Sequence, residues 1–139
     1  MEVSEIMTAN PESAKVTDSI RTVLMKLVEL DVRHIPIVEA GELVGMISDR
    51  DLRTYLLPMS TQLDAANNSD ARFDRPVSTM MQGDVLLTHP DTDITEVIDL
   101  MIDHRVGALP VCDPINGTLV GIVSYIDILR ESREHFEQE

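Results

Sequence analysis

The chain carries one pattern of apolar and polar positions twice. Val-Ser-Glu-Ile-Met-Thr begins at Val3, and the similar Val-Ser-Thr-Met-Met-Gln begins at Val77. Behind each segment, apolar residues at helical spacing form one stripe, which predicts an amphipathic helix in each half. The stripes are Ile20, Val23, Leu24, Leu27 and Val28, and then Ile94, Val97, Ile98, Met101 and Ile102. Since both stripes lie equally far behind their opening segments, the pattern indicates an internal repeat.

Polar residues just before each stripe are the expected helix caps. Thr17 or Asp18 in the first half, and Asp91 or Thr92 in the second, can accept hydrogen bonds from the amide groups of the opening turn. Both pairs keep the offset between Val3 and Val77.

A proline-containing apolar run follows each predicted helix, at residues 35–38 and 109–112. Proline within a strand favours a sheet edge or a strand start, where no ladder hydrogen bond is lost. Turns are predicted at 39–42 and at 113–118, where Asn116-Gly117 is a strong hairpin signal. Partner strands are expected at 43–48 and 119–124, and helices at 49–57 and 125–135.

Each half thus reads as a β-α-β-β-α unit, and the predicted class is α+β. The expected units are residues 1–57 and 76–136. Neither unit can comfortably bury a sheet and two helices alone, so we expect them to pack through their sheets as one pseudo-symmetric module. The composition of residues 58–75, rich in Ser, Asn, Asp and Ala, predicts a flexible linker. Residues 137–139 are expected to form a tail.

Composition narrows the classes of partner. Of the 139 residues 43% are apolar, which indicates a globular protein with a core. The formal net charge of −14 repels nucleic acids and anionic membranes. The single cysteine, Cys112, lies in an apolar run and is expected to be a small buried hydrophobe in a reduced, cytoplasmic setting. No stretch is apolar enough to predict a membrane span, and the N-terminus has no signal pattern.

The strongest chemical signal is a repeated strand end. Gly-Met-Ile-Ser-Asp-Arg-Asp ends at Asp51, and Gly-Ile-Val-Ser-Tyr-Ile-Asp ends at Asp127. Each copy presents a serine, which can donate to a phosphate oxygen, and an aspartate three residues later, which can accept from sugar hydroxyls. The alternative is that Ser48 and Ser124 only cap the following helices. One copy alone would favour the cap, whereas two matching copies favour a nucleotide pocket.

The tandem pattern resembles the cystathionine-beta-synthase (CBS) domain pair, or Bateman module. The residues that carry the resemblance are the opening Val-Ser-Glu-Ile-Met-Thr, the inner Ile-Pro-Ile-Val and Leu-Pro-Val-Cys, and the closing Gly-Met-Ile-Ser-Asp-Arg-Asp-Leu. It covers the chain from about Val3 to about Arg130. The resemblance implies a stand-alone regulatory homodimer that binds AMP, ADP, ATP, S-adenosylmethionine, NAD or cyclic di-adenylate and signals to a separate protein.

The resemblance also implies two clefts between the units, each closed by one Ser-x-x-Asp pair and completed by residues before the inner strand of the other unit. The main nucleotide cleft is expected where Arg33 and His34 add cationic donors to phosphate. Its predicted residues are Ser124, Asp127, Arg33, His34, Ile35, Pro36, Asn10, Ser13, Ala14, Ile122 and Val123.

The second cleft has fewer charges near it. It is expected to hold a smaller or uncharged adenosine ligand, or none. Its predicted residues are Ser48, Asp51, Met46, Ile47, Val85, Leu86, Gly107, Ala108 and Pro110. For Arg33 and His34, a plain helix C-terminus favoured by the helix dipole is an equally weighted alternative.

Three functions are compatible with a chain of this kind. A regulatory adenine-nucleotide sensor is favoured, with Mg²⁺ as an optional bridging ion and no catalytic cofactor. A CBS-fold interaction or dimerisation scaffold without ligand is the alternative, supported by the uncharged Gly107 and Ala108. An enzyme is not expected, because the sequence has no nucleophile paired with a base, no metal-ligand spacing and no glycine-rich phosphate loop.

Overall fold

The computed structural model describes residues 1–56, 71–81 and 84–137. The predicted linker, 58–75, lies outside the described residues except for 71–75, of which 71–73 are helical. Residues 138–139 of the predicted tail also lie outside them. The described chain mixes helices with two three-stranded sheets, which confirms the α+β class.

The elements follow the order predicted from the repeat, except that the first half has two short strands before its first helix and the described residues of the second half have none there. Short 3-10 turns, Val3–Glu5 and Val77–Thr79, open the two halves. The first half has β1 (Thr8–Ala9), β2 (Ala14–Lys15), α1 (Ile20–Leu30), β3 (His34–Glu39), β4 (Glu42–Ser48) and α2 (Asp49–Leu56). The second half has α3 (Ile94–His104), β5 (Ala108–Cys112), β6 (Leu119–Ser124) and α4 (Tyr125–Glu137).

The helix caps lie later than predicted. Ser19 caps α1 by accepting from the Thr22 amide at 3.1 Å, and Asp93 caps α3 by accepting from the Thr95 amide at 2.9 Å. Asp18, one of the predicted caps, instead accepts from the Lys15 amide at 2.9 Å and closes the turn before the helix. The predicted caps were wrong by one or two positions in both repeats, although the repeat symmetry itself holds.

Each sheet contains one closing hairpin. The strand orders are β2-β3-β4 and β1-β6-β5. In the first hairpin, Ala40 and Gly41 both adopt positive φ, 52° and 82°, as a two-residue turn with right-handed strand twist requires. In the second, Gly117 has φ 74°, and the Asp113 carboxylate accepts from the Ile115 amide at 2.8 Å. Both predicted turns are confirmed.

The two strand prolines differ in position. Pro110 lies on β5, the last strand of its sheet, as predicted, whereas Pro36 lies on the central strand β3, where the prediction was wrong. The centre tolerates Pro36 because β2 is only two residues long and pairs with Ile37 and Val38, beyond the proline. No ladder bond to β2 is therefore needed at Pro36 itself.

The compact units do not coincide with the sequence repeats. One unit, called the C-terminal unit here, comprises Met1–Pro11, Gly41–Leu43 and Leu86–Glu139. The other, called the central unit, comprises Glu12–Ala40 and Val44–Val85. The boundaries 1–57 and 76–136 follow the sequence repeat, but each compact unit includes the opening segment of the other repeat.

The exchanged opening segments make equivalent backbone bonds. In the C-terminal unit, Val3 donates to the Thr92 carbonyl at 2.9 Å and Ile94 donates to the Met1 carbonyl at 2.9 Å. In the central unit, Val77 donates to the Asp18 carbonyl at 2.7 Å and Ile20 donates to the Arg75 carbonyl at 2.9 Å. Each bond in one unit therefore has its counterpart at the equivalent repeat positions of the other.

The same exchange supplies core residues. Val3 is fully buried among the residues of the second repeat, and Val77 is fully buried among those of the first. The core of the central unit consists of Ala14, Ile20, Val23, Leu27, Ile35, Ile37, Ile47, Leu52 and Val77. That of the C-terminal unit consists of Val3, Val97, Met101, Leu109, Val111 and Val123.

Two members of the predicted helical stripes are not buried. Val28 on α1 is 72% exposed and Ile102 on α3 is 67% exposed, although both continue the apolar spacing. They occupy equivalent positions, each directly after a buried residue, Leu27 in α1 and Met101 in α3. Cys112 is buried as expected, and burial raises the pKa of its thiol.

Two glycines make room for methionines from the opening segments. A Cβ added to Gly45 would clash with the Met81 side chain, and one added to Gly121 would lie 2.5 Å from Met7 Sδ and 3.1 Å from the Thr8 carbonyl oxygen. These glycines begin the two Ser-x-x-Asp segments. Their role is therefore to admit the exchanged segment against the closing strand.

We expect Gly121→Ala to lower the free energy of unfolding by about 1 to 3 kcal/mol, because the new methyl group overpacks a filled contact. Denaturant unfolding measures the change. Met7→Ala in the same chain is expected to recover part of the loss, since the nearest clashing atom is then removed. Losses that simply add in the double variant would contradict the proposed contact.

Candidate functional site

The strand β4 ends in a reciprocal cap at the start of α2. The Ser48 amide donates to Asp51 Oδ2 at 3.0 Å, and the Asp51 amide donates to Ser48 Oγ at 3.0 Å. This is the geometry of a capping box, with aspartate in the place of glutamate. The carboxylate and hydroxyl are thereby held at the surface end of the strand, where Asp51 is exposed and Ser48 half-buried.

The strand β6 ends in the same way. The Ser124 amide donates to Asp127 Oδ2 at 2.9 Å, and the Asp127 amide donates to Ser124 Oγ at 3.3 Å. The Ser124 hydroxyl also lies 3.1 Å from Asp127 Oδ2. Both serines therefore cap helices, as the capping alternative predicted. We call the strand-to-helix segment from Ser48 to Asp51 the first junction, and the segment from Ser124 to Asp127 the second junction.

Capping does not use up these side chains. In both junctions the amide of the serine donates to Oδ2 of the aspartate. A carboxylate has about four lone-pair sites, and the Ser48 hydroxyl can donate while it accepts, whereas the Ser124 hydroxyl already donates to Asp127 Oδ2. The caps therefore orient one serine and one aspartate at each junction and leave capacity to bind hydroxyl groups of a ligand.

Arg33 and His34 lie beside the first junction in the central unit. The Asp49 amide donates to the Arg33 carbonyl at 2.9 Å, which ties the start of β3 to the start of α2. Burial lowers the pKa of His34, Arg33 lowers it further, and the carboxylates of Asp49 and Asp51 oppose both effects. Four charged or titratable groups thus lie within electrostatic range of one another.

Gly107 and Ala108 occupy the equivalent place in the C-terminal unit. The Tyr125 amide donates to the Gly107 carbonyl at 2.9 Å, and Ala108 pairs with Ser124 across β5 and β6. The backbone of the second junction thus repeats that of the first. Its side chains at these two positions bring no charge.

The predicted site residues are divided between the compact units. The central unit contains Arg33, His34, Ile35, Pro36, Ser13, Ala14, Ser48, Asp51, Met46, Ile47 and Val85. The C-terminal unit contains Ser124, Asp127, Ile122, Val123, Asn10, Leu86, Gly107, Ala108 and Pro110. Joining Arg33 and His34 to Ser124 and Asp127 in one cleft therefore stays a prediction.

Several of these residues have structural roles within their own unit. Asn10 adopts φ 50° and its amide donates to the Val120 carbonyl at 3.1 Å, so it shapes the chain after β1. The Ser13 carbonyl accepts from Lys26 Nζ at 2.9 Å. Ala14, Ile35 and Ile47 are buried in the core of the central unit.

Sequence reasoning missed Asp49 as a member of the first junction. Its carboxylate raises the pKa of His34, more strongly than that of Asp51 does. Asp49 is the first residue of α2, directly after Ser48, and an acidic residue at this position was a usable signal.

Neither a metal centre nor a membrane span is found in the described part of the chain. Across residues 1–56, 71–81 and 84–137, no group of three or more His, Cys, Asp and Glu side chains could hold a metal ion. In the same ranges, every helix is too short or too polar to span a bilayer.

A family model for the CBS domain matches the chain twice, at residues 3–58 and 77–134. The chain belongs to the CBS domain family. The predicted tandem pair is thereby confirmed, and the two matches coincide with the two copies of the internal repeat. CBS domain pairs are regulatory modules, and the two Ser-x-x-Asp junctions lie one in each match.

Similar proteins share both the sequence and the fold. The CBS domain-containing protein YhcV of Bacillus subtilis is 30% identical over 128 residues, which cover 91% of this chain and 81% of YhcV. The CBS domain pair of protein MJ0100, solved with 5′-methylthioadenosine and S-adenosyl-L-methionine, is 26% identical with a TM-score of 0.77 and covers 97% of this chain and 98% of that one. CBSX2 in complex with AMP is also 26% identical with a TM-score of 0.77, and 96% of each chain is covered.

We expect His34 to make stability depend on pH. Because its pKa is lowered in the folded state, the unfolded chain takes up its proton first as the pH falls, and stability is lost as the pH drops below the ordinary value of 6.5. His34→Gln should therefore lose less free energy of unfolding than the wild type between about pH 7.5 and about pH 5.5. Urea unfolding at the two pH values measures this. His135→Gln, at an exposed position on α4, is the matched control, and equal pH slopes for wild type and His34→Gln would contradict the prediction.

Proposed function

We propose that the chain is a regulatory module that binds an adenosine-containing ligand at its Ser-x-x-Asp junctions and signals occupancy to a separate protein. The ligand class is AMP, ADP, ATP, S-adenosylmethionine or NAD. The observation that carries the proposal is the repeated junction, in which two caps, one in each repeat, orient a hydroxyl and a carboxylate in the same way.

The chemistry of the junction suits a nucleoside. An aspartate carboxylate that accepts an amide bond has lone pairs left and can also accept from vicinal ribose hydroxyls. The Ser48 hydroxyl, at the start of α2, accepts from the Asp51 amide and can donate to a phosphate oxygen, next to amide groups that favour anions. The structures of MJ0100 with 5′-methylthioadenosine and S-adenosyl-L-methionine and of CBSX2 with AMP support this ligand class.

A second function is favoured by a separate observation. Gly107 and Ala108 give the second junction no charge at the positions of Arg33 and His34. A CBS-fold scaffold that assembles without ligand would need neither charge. In that case the two serines and two aspartates act only as helix caps.

We also propose a homodimer. Val28 and Ile102 are largely exposed at equivalent positions on α1 and α3, and Met25 on α1 is 52% exposed. An exposed apolar residue at the same place on each helix gives each unit an apolar face that another chain can cover. A second copy fits such a surface, because a twofold axis brings the same residues of both copies together.

A ligand panel tests the sensor function. We expect at least one of AMP, ADP, ATP, S-adenosylmethionine and NAD to raise the melting temperature, since a ligand at one hundred times its Kd adds about 2.7 kcal/mol to stability. Differential scanning fluorimetry at millimolar ligand, with and without Mg²⁺, measures the shift. An unchanged melting temperature with every ligand would reject the sensor in favour of the scaffold.

The dimer has its own test. Ile102→Glu is expected to shift the protein from dimer to monomer, because a buried, unpaired carboxylate at an interface opposes association. Light scattering coupled to size-exclusion chromatography measures the mass. Asp103→Asn, the next exposed residue of α3, is the control and should leave the mass unchanged. A wild-type monomer, or a dimer that survives Ile102→Glu, would contradict this interface.

A further inference from the structure

The two junctions have the same backbone but different charges. At equivalent positions of the repeat, the first junction has Arg33, His34, Asp49, Arg50, Asp51 and Arg53, and the second has Gly107, Ala108, Tyr125, Ile126, Asp127 and Leu129. Only the aspartate that ends the motif is charged in both. The matching amide bonds of Asp49 and Tyr125, both 2.9 Å, show that the positions correspond in local structure as well as in sequence.

The charges of the first junction are near enough to act together. The Asp49 amide donates to the Arg33 carbonyl at 2.9 Å, which brings the start of β3 to the start of α2. In this region Asp49, Asp51 and Arg33 all shift the pKa of His34. Arg33 and Arg50 are exposed, whereas His34 is half-buried. An exposed guanidinium beside a half-buried imidazole provides donors that match phosphate oxygens.

The second junction lacks these donors. At the six compared positions its one charge is the carboxylate of Asp127, which repels a phosphate group. Tyr125 and Ile126 are each 40% exposed and present apolar surface where the first junction has Asp49 and Arg50. In a chain with a net charge of −14, nothing at these positions offsets the repulsion.

We infer that the Ser48–Asp51 junction binds a ligand with a 5′-phosphate, whereas the Ser124–Asp127 junction binds an adenosine ligand that is uncharged at the 5′ position. The inference rests on the proposed function and divides its ligand class between two sites. It differs from the cross-over expected from the family resemblance, in which Arg33 serves Ser124. The ligand discrimination comes from side chains that diverged while the backbone stayed the same.

Isothermal titration calorimetry with AMP and with 5′-methylthioadenosine tests the inference on the full chain. Arg33→Gln is expected to raise the Kd of AMP about tenfold or more, because one charge-assisted contact is lost. The Kd of 5′-methylthioadenosine should stay unchanged. Arg133→Gln, at an exposed position on α4, is the control for net charge and should change neither affinity.

A converse variant places the cation at the second junction. Gly107→Arg is expected to add an AMP site of measurable affinity, because it places a guanidinium at the position equivalent to Arg33. Asp51→Asn keeps a side chain that can cap the helix. It should lower the affinity for AMP more than Asp127→Asn does. Arg33→Gln alone still decides the matter if Gly107→Arg does not fold.

The outcomes separate the inference from the proposed function. If neither probe binds the wild type, the division of ligands fails, and the ligand panel decides the sensor function separately. Both probes could bind the wild type while Arg33→Gln lowers the two affinities equally, or while Asp127→Asn lowers the AMP affinity more than Asp51→Asn does. In either case the division of ligands is wrong and the sensor function stands. Selective loss of AMP in Arg33→Gln and in Asp51→Asn supports the inference.

Discussion

The structure depends on the exchange of opening segments between the two repeats. In β4 and β6, a glycine contacts a methionine from the opening segment of the other repeat. The first residue of α1 and of α3 donates a backbone hydrogen bond to the chain at the start of that segment. Val3 and Val77 complete the cores of the units they join. Because each compact unit contains parts of both repeats, neither repeat can form its unit from its own residues alone. The exchange also places the two Ser-x-x-Asp junctions directly after the strands that it supports.

Much of the fold could be predicted from the internal repeat. Helical stripes, hairpin turns and the order of elements after the first helix of each half followed from spacing, since two copies that agree position by position confirm each other. The exchange could not be predicted, because Val3 and Val77 fit either unit equally well at the level of apolar pattern. The exposure of Val28 and Ile102 was missed because periodicity gives the apolar face of a helix but not how much of the width of that face is covered. Pro36 lies on a central strand because the neighbouring strand is short, and sequence pattern does not give that length.

The candidate site was predictable in its motif and not in its grouping. Ser48, Asp51, Ser124 and Asp127 were found because a serine and an aspartate recur at the same spacing, and the structure holds each pair in a cap. The association of Arg33 and His34 with the first junction is a tertiary contact between the start of β3 and the start of α2. Their spacing from Ser48 along the chain carries no signal of it. Duplication therefore preserved the scaffold of the junction, while the residues around it diverged in charge.

The central claim is that both junctions hold the ribose of an adenosine ligand. Crystallography of the full chain with AMP and 5′-methylthioadenosine tests it most directly. We expect electron density for a nucleoside whose ribose hydroxyls lie within hydrogen-bond distance of the Asp51 and Asp127 carboxylates. Ligand density that contacts neither aspartate would contradict it.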